Sequence, residues 1–408
     1  MLTRILIEKL TISLVFLLPI LMGTIPSSAS SINILLLIIA MFWAWPSWHH
    51  LTKQEKILCL SIVAFFGAAF LSFLNSDDMS KSWARLERIL RVLAFVPVFL
   101  LFRRLEIDLL KPLTLGMILA GPALLLSANL TIRFDAAQGA YNSILLGDFS
   151  AVVAVFLLCY FFFNQHSWNF KLISIIAFGC ATQAMILSTT RGASVALLAC
   201  AVLILGIFFM RAIKEKLFRN LLVSSLLILL TAVALIQNPT IWGQASSGVS
   251  EFRDYASGTN PHTSLGLRFQ MWEASVKMWA KNPFIGSGLG DYSVDLAKMI
   301  ETGQSRIREH YGEAHSIFFE FLGTTGLLGL ATLLIALFVL PVRVLYSDRS
   351  KREDERFVRI CGVSIIVAFF IFGLTQNWLG RSSITSVYAL LLAVFLSARN
   401  PDTNAKTN

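Results

Sequence analysis

Charged residues are scarce in this chain of 408 residues: Asp, Glu, Lys and Arg make up 14% of it, whereas hydrophobic residues make up 56%. A soluble domain carries about 25% charged residues, so this sequence has too few to cover a water-exposed globular surface. The mean hydropathy of +0.70 agrees with that shortage. The composition excludes a string of soluble domains and predicts one polytopic membrane domain whose main solvent is lipid.

Cysteine and cofactor motifs are also lacking. The five cysteines lie inside apolar runs, form no CxxC pair and are typical of small buried hydrophobic residues rather than of a disulfide framework or zinc site. The sequence has no DxD motif, no P-loop and no Gly-rich nucleotide fingerprint. We therefore expect no cofactor, neither a metal nor a nucleotide.

Basic residues are unevenly distributed. The chain has a net charge of +10, and most of its 34 lysines and arginines lie in short segments between apolar runs. This distribution is typical of the cytoplasmic loops of membrane proteins. It indicates a membrane topology and argues against a nucleic-acid partner.

Apolar runs of about 20 residues, the length that crosses a bilayer, recur along the chain. They predict an all-α polytopic membrane protein with about twelve transmembrane helices, at 10–28, 31–46, 57–74, 89–103, 107–128, 143–163, 170–188, 192–210, 218–236, 315–340, 357–376 and 383–398.

The loop charges predict the orientation of these helices. The inside loops carry the excess of Lys and Arg if both termini are cytoplasmic. The chain then divides into helices 1–9 (residues 1–236), one long outside loop (residues 237–314), and helices 10–12 with a cytoplasmic tail (residues 315–408).

The long loop contains two kinds of sequence. Residues 238–264 are rich in Gly, Ser, Asn and Thr and predict coil. Residues 265–281 place Met271, Trp272 and Met278 on one face at helical spacing. We expect an amphipathic helix there, whose Trp/Met face lies on the membrane interface or caps the bundle.

Arg191 lies between two apolar runs in the stretch LSTTRGAS, on the side of the membrane where positive residues are disfavoured. An arginine at membrane depth is costly and usually has an anionic partner, yet no acidic residue is close to it in sequence. Its planar guanidinium matches the oxygens of a phosphate. Arg191 is therefore a candidate anion-binding residue, the alternative being an arginine that only sets the topology.

Arg268 and His315 are the candidates in the long loop and at its end. Arg268 opens the amphipathic segment, where it is either a solvated residue or a contact to a lipid headgroup. His315 stands where the loop meets the next apolar run, and the start of a helix favours a neutral imidazole. A neutral imidazole with a pKa near the usual value of about 6.5 is a competent general base. The alternative is that His315 is purely structural. Glu313 either favours the charged form of the imidazole or orients the ring.

Two further sets of residues are predicted to bind substrate. Arg85, Arg88 and Arg91 recur at every third position and line one helical face, which forms a second anion-binding edge or only an interfacial helix. Gly288 and Gly290 belong to the Pro/Gly-punctuated turn that precedes the histidine. From these two sets we predict four substrate-binding residues: Arg88, Arg91, Gly288 and Gly290.

Several stretches resemble the O-antigen ligase/polymerase superfamily. They are TTRGA around Arg191, the R-x-x-x-W of Arg268–Trp272, NPFIGSGLG at 282–290 and AHSIFFEFLGTTGLLGL at 314–330. The chain length, the predicted spans and the long loop between helices 9 and 10 look most like an O-antigen ligase of Gram-negative lipopolysaccharide assembly.

This resemblance implies a GT-C-like glycosyltransferase of the bacterial inner membrane with a periplasmic active site. It implies transfer of a glycan from undecaprenyl pyrophosphate to a sugar hydroxyl of lipid A–core, without metal or nucleotide. These two substrates and membrane lipid are the expected partners. The family's paired arginines correspond to Arg191 and Arg268, and its loop histidine corresponds to His315, so that these three are the expected catalytic residues.

Two alternatives to a ligase remain. An O-antigen polymerase shares the donor and the arginines but extends a lipid-linked glycan. A transporter belongs to a different class, and the predicted spans show no clear inverted repeat that would favour it.

Overall fold

The computed structural model describes residues 2–133, 136–164, 168–214, 222, 225, 239–347 and 353–399. Most of these residues are helical. The helices are α1 (Leu2–Leu21), α2 (Ser28–Trp43), α3 (Lys53–Leu71), α4 (Met79–Leu93), α5 (Phe95–Leu105), α6 (Leu110–Leu130), α7 (Ser143–Phe163), α8 (Trp168–Leu187), α9 (Arg191–Lys214), α10 (Pro239–Ser257), α11 (Ser264–Lys281), α12 (Tyr292–Glu301), α13 (Ile317–Leu334), α14 (Leu340–Tyr346), α15 (Glu353–Thr375) and α16 (Ser382–Ser397).

Short elements complete the described chain. Single 3₁₀ turns occur at Trp45–His50, Ser72–Asn75 and Trp378–Gly380, and a π-helical turn, Ile335–Val339, joins α13 to α14. One small antiparallel pair, β1 (Ile132–Arg133) and β2 (Ala136–Ala137), aligns Ile132 with Ala137.

Several helices are suited to a bilayer. Seven helical stretches of the described chain are long and apolar enough to cross a membrane: Lys53–Asn75, Leu110–Leu130, Ser143–Phe163, Trp168–Leu187, Arg191–Lys214, Ile317–Tyr346 and Glu355–Thr375. Ser28–Trp43 and Ser382–Ser397 are shorter apolar helices. The prediction of an all-α membrane protein is confirmed, while the number twelve and the GT-C-like arrangement stay predictions.

Two of the predicted spans do not each correspond to one described helix. The run at 89–103 is divided between α4 and the 11-residue α5, and 11 residues are fewer than the about 20 that cross a bilayer. α4 continues to Leu93 as a mixed helix that carries arginines as late as Arg91. The ninth predicted span, 218–236, lies outside the described residues apart from 222 and 225.

α7 lies at the centre of the bundle, against α6, α8, α9 and α15, and almost all of its residues are buried. Close helix packing relies on small residues, as is usual in membranes. A Cβ added to Gly121 of α6 would lie only 2.3 Å from the carbonyl oxygen of Ala177 in α8. The backbones of α6 and α8 therefore approach each other where no side chain separates them.

A buried carboxylate organises the end of the bundle remote from the long loop. Glu55, in the first turn of α3, accepts a hydrogen bond from the Thr52 N–H at 2.9 Å and forms an ion pair with Arg103 of α5. Its Oε1 is also 3.9 Å from Arg399 Nη2. Burial of a charge is tolerated when it is paired and hydrogen-bonded, so Glu55 joins α3, α5 and the end of α16.

The coil predicted for residues 238–264 is wrong over most of that range, because α10 occupies Pro239–Ser257. The rings of Phe252 and Tyr255 contact Phe269 of α11 at centroid distances of 6.3 and 5.0 Å. Packing of one helix face supplies stability that the helix propensity of the Gly/Ser-rich sequence lacks.

The Trp/Met face of α11 packs inside the protein. Met271 and Met278 join Tyr292 of α12 in a second apolar core. Trp272 stacks on Phe319 of α13 with a centroid distance of 4.8 Å and an interplanar angle of 6°. α11 thus covers the start of α13.

The NPFIGSGLG turn supplies hydrogen bonds at a break in α13, where Gly326 has a φ of 66° and a ψ of −165°. Four backbone bonds of 2.9 to 3.1 Å join the two segments: Ser287 N–H to Gly323 O, Gly288 N–H to Thr324 O, Leu327 N–H to Pro283 O and Leu328 N–H to Phe284 O. Irregular backbone at membrane depth is tolerated when the protein satisfies its polar groups. The turn and the helix that follows His315 are therefore one packed unit.

Candidate active site

Arg191 is the first residue of α9 and follows a turn that is fixed to two other helices. The Thr190 hydroxyl donates a hydrogen bond to the Ser143 carbonyl at the start of α7, at 2.9 Å. Gly192 lies so close to Thr375 of α15 that a Cβ there would be 2.4 Å from the threonine hydroxyl oxygen. These contacts fix the backbone of Arg191 at the end of the bundle nearest to the long loop.

The Arg191 guanidinium has an anionic partner that is distant in sequence. Its Nη1 donates to Glu251 Oε1 at 3.0 Å and its Nη2 donates to Ser247 Oγ at 2.9 Å, both in α10. The second oxygen of Glu251, Oε2, accepts a hydrogen bond from the Leu265 N–H in the first turn of α11, at 2.9 Å. Since the start of a helix favours a negative group, Glu251 occupies an anion-binding position formed by Arg191 and α11.

Arg268 lies one turn further along α11, beside the same carboxylate. Burial lowers the pKa of Arg268, as does the neighbouring Arg191, whereas Glu251 raises it. Among the described residues, the Arg268 guanidinium has no hydrogen-bond or ion-pair partner. An arginine stays protonated in proteins, so Arg268 is a partly buried cation with unused donors.

His315 lies two residues before α13, and so does not begin that helix. Its φ of 49° is in the left-handed region, which histidine adopts more often than most residues. Burial lowers the pKa of His315; Glu313 raises it, and Arg268 and Arg381 lower it. The net direction is downward from the usual value of about 6.5. The imidazole is therefore neutral at neutral pH, as a general base requires.

Glu313 is shared by His315 and two arginines. Its Oε1 lies 3.8 Å from His315 Nδ1 and 3.4 Å from Arg381 Nη2, while its Oε2 lies 3.5 Å from Arg85 Nη1. At 3.8 Å the carboxylate acts on the ring through charge rather than through a hydrogen bond. Of the two roles that the sequence left open, Glu313 favours the charged imidazole, but burial outweighs this effect.

The face of α4 that was predicted as an anion-binding edge binds mainly to protein. Arg88 Nη1 donates to the Gly380 carbonyl at 2.9 Å, and burial and the neighbouring Arg85 lower the pKa of Arg88. Arg91 Nη2 pairs with Glu87 Oε1 within α4 at 3.0 Å. Arg85 is the member of this face that joins the His315 network, and substrate binding by Arg88 and Arg91 stays a prediction.

Gly288 and Gly290 pack against the start of α4. They have φ values of 131° and 93°, which favour glycine. A Cβ at Gly288 would lie 2.7 Å from Ser76 Cα, and one at Gly290 would lie 2.7 Å from the Lys81 backbone. This packing explains both glycines without a ligand, and their contact with substrate stays a prediction.

Sequence reasoning missed two carboxylates of this region. Glu320 of α13 is 3% exposed, accepts a hydrogen bond from the Ala314 N–H at 2.7 Å and lies 3.8 Å from Arg85 Nη2. Its position inside an apolar run was a usable signal, because an ionisable residue there indicates a site. Glu251 had no comparable signal, because it is 60 residues from Arg191 in sequence.

The arrangement combines two kinds of chemistry. Arg191 and Arg268 place two guanidinium groups near one anion position, and such groups stabilise negative charge that develops on a phosphate leaving group. Near them, His315 offers a neutral imidazole that accepts a proton from a hydroxyl. Within the described part of the chain, no group of three or more His, Cys, Asp or Glu side chains is arranged to hold a metal ion.

Comparison with known proteins gives two matches. Residues 176–334 match the family model described as "O-Antigen ligase", a region that includes Arg191, Arg268 and His315. An uncharacterized protein of Haemophilus influenzae strain Rd is 22% identical over 354 residues, which cover 85% of this chain and 86% of the relative.

Proposed function

We propose that this chain, whose residues 176–334 match the O-antigen ligase family model, transfers O-antigen glycan from undecaprenyl pyrophosphate to a sugar hydroxyl of lipid A–core. The proposed reaction takes place at the periplasmic face of the inner membrane of a Gram-negative bacterium, with both termini of the chain in the cytoplasm. The observation that carries the proposal is the Arg268 guanidinium, which has no hydrogen-bond or ion-pair partner among the described residues and lies beside Arg191 and near His315.

The arginine pair binds the donor in this proposal. The pyrophosphate replaces the Glu251 carboxylate between Arg191 and the first turn of α11 and accepts hydrogen bonds from the Arg268 guanidinium. As the bond between the anomeric carbon and the pyrophosphate oxygen breaks, negative charge grows on that oxygen. Guanidinium groups that are already oriented stabilise this charge without the reorganisation that water requires.

His315 activates the acceptor. The acceptor hydroxyl oxygen forms a bond to the anomeric carbon and loses its proton to the imidazole. Glu313 lies on the Nδ1 side of the ring, so Nε2 is the nitrogen that takes the proton. Direct attack by the acceptor inverts the anomeric centre. The charges that this mechanism requires come from side chains of the protein, so a metal ion is not needed for it.

Transfer of lipid-linked O-antigen glycan to purified lipid A–core by the reconstituted protein tests the proposal. We expect glycan-capped core with the wild type, with and without EDTA, and no capped core with His315→Ala. His310→Ala is the control, since His310 is an exposed histidine of the same loop. Loss of capping in EDTA would contradict the metal-independent mechanism.

An O-antigen polymerase is the second candidate, because the arginine pair describes the donor side and a histidine base can serve the hydroxyl of either acceptor. If the reconstituted protein lengthens lipid-linked glycan and caps no core, the polymerase reaction replaces the ligase reaction. If it makes neither product, the transferase proposal is wrong and a transport assay follows.

A further inference from the structure

The segment before α13 is held by hydrogen bonds on both sides of His315. Four bonds of 2.7 to 3.1 Å hold it: Arg85 Nη2 to the Gly312 carbonyl, Ala314 N–H to Glu320 Oε2, Trp272 Nε1 to the Ala314 carbonyl and Ser316 Oγ to the Gly373 carbonyl. The donors and acceptors come from α4, α11, α13 and α15. The position of His315 therefore depends on four helices rather than on its own loop.

The backbone of His315 adopts a conformation that needs such support. A residue other than glycine with a φ near 49° is in a sparsely populated region that costs of order 1–3 kcal/mol and persists when the surrounding structure imposes it. The bond from the Ala314 N–H to Glu320 lies immediately before this residue, at 2.7 Å. It is therefore placed to control the direction in which the imidazole points.

Glu320 has a second partner, which connects it to α4. Its Oε1 lies 3.8 Å from Arg85 Nη2, and the same arginine nitrogen donates to the Gly312 carbonyl at 3.0 Å. Arg85 also reaches Glu313, which faces the ring of His315. Arg85 and Glu320 thus form one charged pair that contacts the chain at Gly312, Glu313 and Ala314.

We infer that Glu320 and Arg85 are positioning residues for His315: they hold residues 312–316 so that the imidazole faces the reacting hydroxyl. The inference rests on the proposed function, because it assigns a role through the proposed base. Neither side chain needs to contact a substrate. The pair acts by preorganisation, and a displacement of about 1 Å in a catalytic group costs about 100-fold in rate.

The experiment compares Glu320→Ala with Glu320→Gln in the full-length reconstituted protein, with kcat and KM measured for the lipid-linked donor. Alanine removes the acceptor for the Ala314 N–H, whereas glutamine keeps a carbonyl oxygen there. We expect Glu320→Ala to lower kcat about 100-fold with little change in KM, and Glu320→Gln to retain most of kcat. Equal losses in the two variants would overturn the inference.

Glu55→Ala is the matched control. Glu55 is also buried, also accepts a backbone N–H and also pairs with an arginine, but at the other end of the bundle. We expect it to lower the unfolding temperature without changing kcat of the folded protein. A kcat loss in Glu55→Ala as large as that in Glu320→Ala would show that any buried charge matters equally, and would overturn the inference.

A double-mutant cycle with His315 separates positioning from other roles. If Glu320 acts through the histidine, adding Glu320→Ala to His315→Ala lowers the residual rate no further. A second full loss in that background would overturn the inference. If Glu320→Ala does not fold, the same double-mutant cycle is measured with Arg85→Gln. Arg85 lies in α4, outside the spanning helices, so its replacement disturbs the fold less.

The outcomes also separate this inference from the proposed function. If His315→Ala loses transfer while both Glu320→Ala and Arg85→Gln keep wild-type kcat, the positioning role is wrong and the proposed base stands. If His315→Ala keeps full transfer, the proposed base is wrong and the positioning role is wrong with it.

Discussion

Arg191 and Glu251 form an ion pair of 3.0 Å between α9 and α10, and the second oxygen of the same carboxylate accepts the Leu265 N–H of α11. The carboxylate thus has the partners that a phosphate oxygen would have: a guanidinium and the first turn of a helix. In the proposed reaction Glu251 competes with the donor for Arg191. The ion pair is therefore a measurable cost of donor binding.

We predict that Glu251→Gln lowers KM for the lipid-linked donor and leaves kcat unchanged. Glutamine still accepts the Leu265 N–H but no longer pairs with Arg191. Because the Arg191 side chain is 44% exposed, and an exposed pair is worth roughly 0.2–1 kcal/mol, the fall in KM is at most about fivefold. Steady-state transfer at low salt measures it. Glu273→Gln is the control, since Glu273 pairs with Lys277 on an exposed face of α11. A higher KM in Glu251→Gln would show that the carboxylate supports the donor site.

We predict that Arg191→Lys and Arg268→Lys each lower kcat/KM for the donor by about 100-fold or more, the loss that follows removal of one oriented donor to a developing anion. Lysine keeps the positive charge but loses the planar fork of the guanidinium. Arg253→Lys in α10 is the control, because Arg253 is exposed and outside the site. Wild-type kcat/KM in both site variants would contradict a pyrophosphate site made by this pair.

The site could be predicted from sequence only where residue type and local pattern carried the information. Arg191 and His315 were recognisable because each is a polar residue at the edge of an apolar run. Glu251 was not, since its partner is 60 residues away in sequence and the pairing depends on how α10 packs. A carboxylate in a polar loop has many possible partners, and only the tertiary structure selects one.

The fold shows the same division between local and long-range information. Hydrophobic length predicted spans such as α7 because about 20 apolar residues match the bilayer core regardless of their neighbours. The same rule joined the end of α4 to α5, because it does not register that a helix ends. α10 was predicted as coil because its Gly/Ser-rich sequence has low helix propensity, and the packing of its aromatic side chains on Phe269 is not visible in the local sequence.

We predict that Gly286→Ala destabilises the protein because Gly286 packs against the break in α13. Its φ is 72°, and an added Cβ would lie 2.3 Å from the Thr325 nitrogen. A left-handed alanine costs about 1–2 kcal/mol, and the overlap adds about 1–3 kcal/mol. Thermal unfolding of the purified protein measures the loss. Gly206→Ala in α9 is the control, because a Cβ there meets no atom within 4 Å. Equal unfolding temperatures for the two variants would contradict the close packing of turn and helix.

We predict that the acid limb of the kcat/KM profile, which reports the groups of the free enzyme, lies below pH 6.5, because burial lowers the pKa of His315 and the base must be neutral. Activity then falls as the pH drops through that lowered pKa and is constant above it. Glu313→Gln removes the neighbouring charge that raises the pKa of His315, so the limb moves to lower pH.

Replacement of Arg381 shifts the acid limb in the opposite direction. Arg381 lowers the pKa of His315, so Arg381→Gln moves the acid limb to higher pH. If His315 is the titrating base, Glu313→Gln and Arg381→Gln shift the acid limb in opposite directions. A general loss of structure predicts no such pair of shifts. The control is Glu309→Gln, because the exposed Glu309 hydrogen-bonds with Tyr311 and does not act on the imidazole. Limbs that stay at the same pH in both variants would show that the titrating group is not His315.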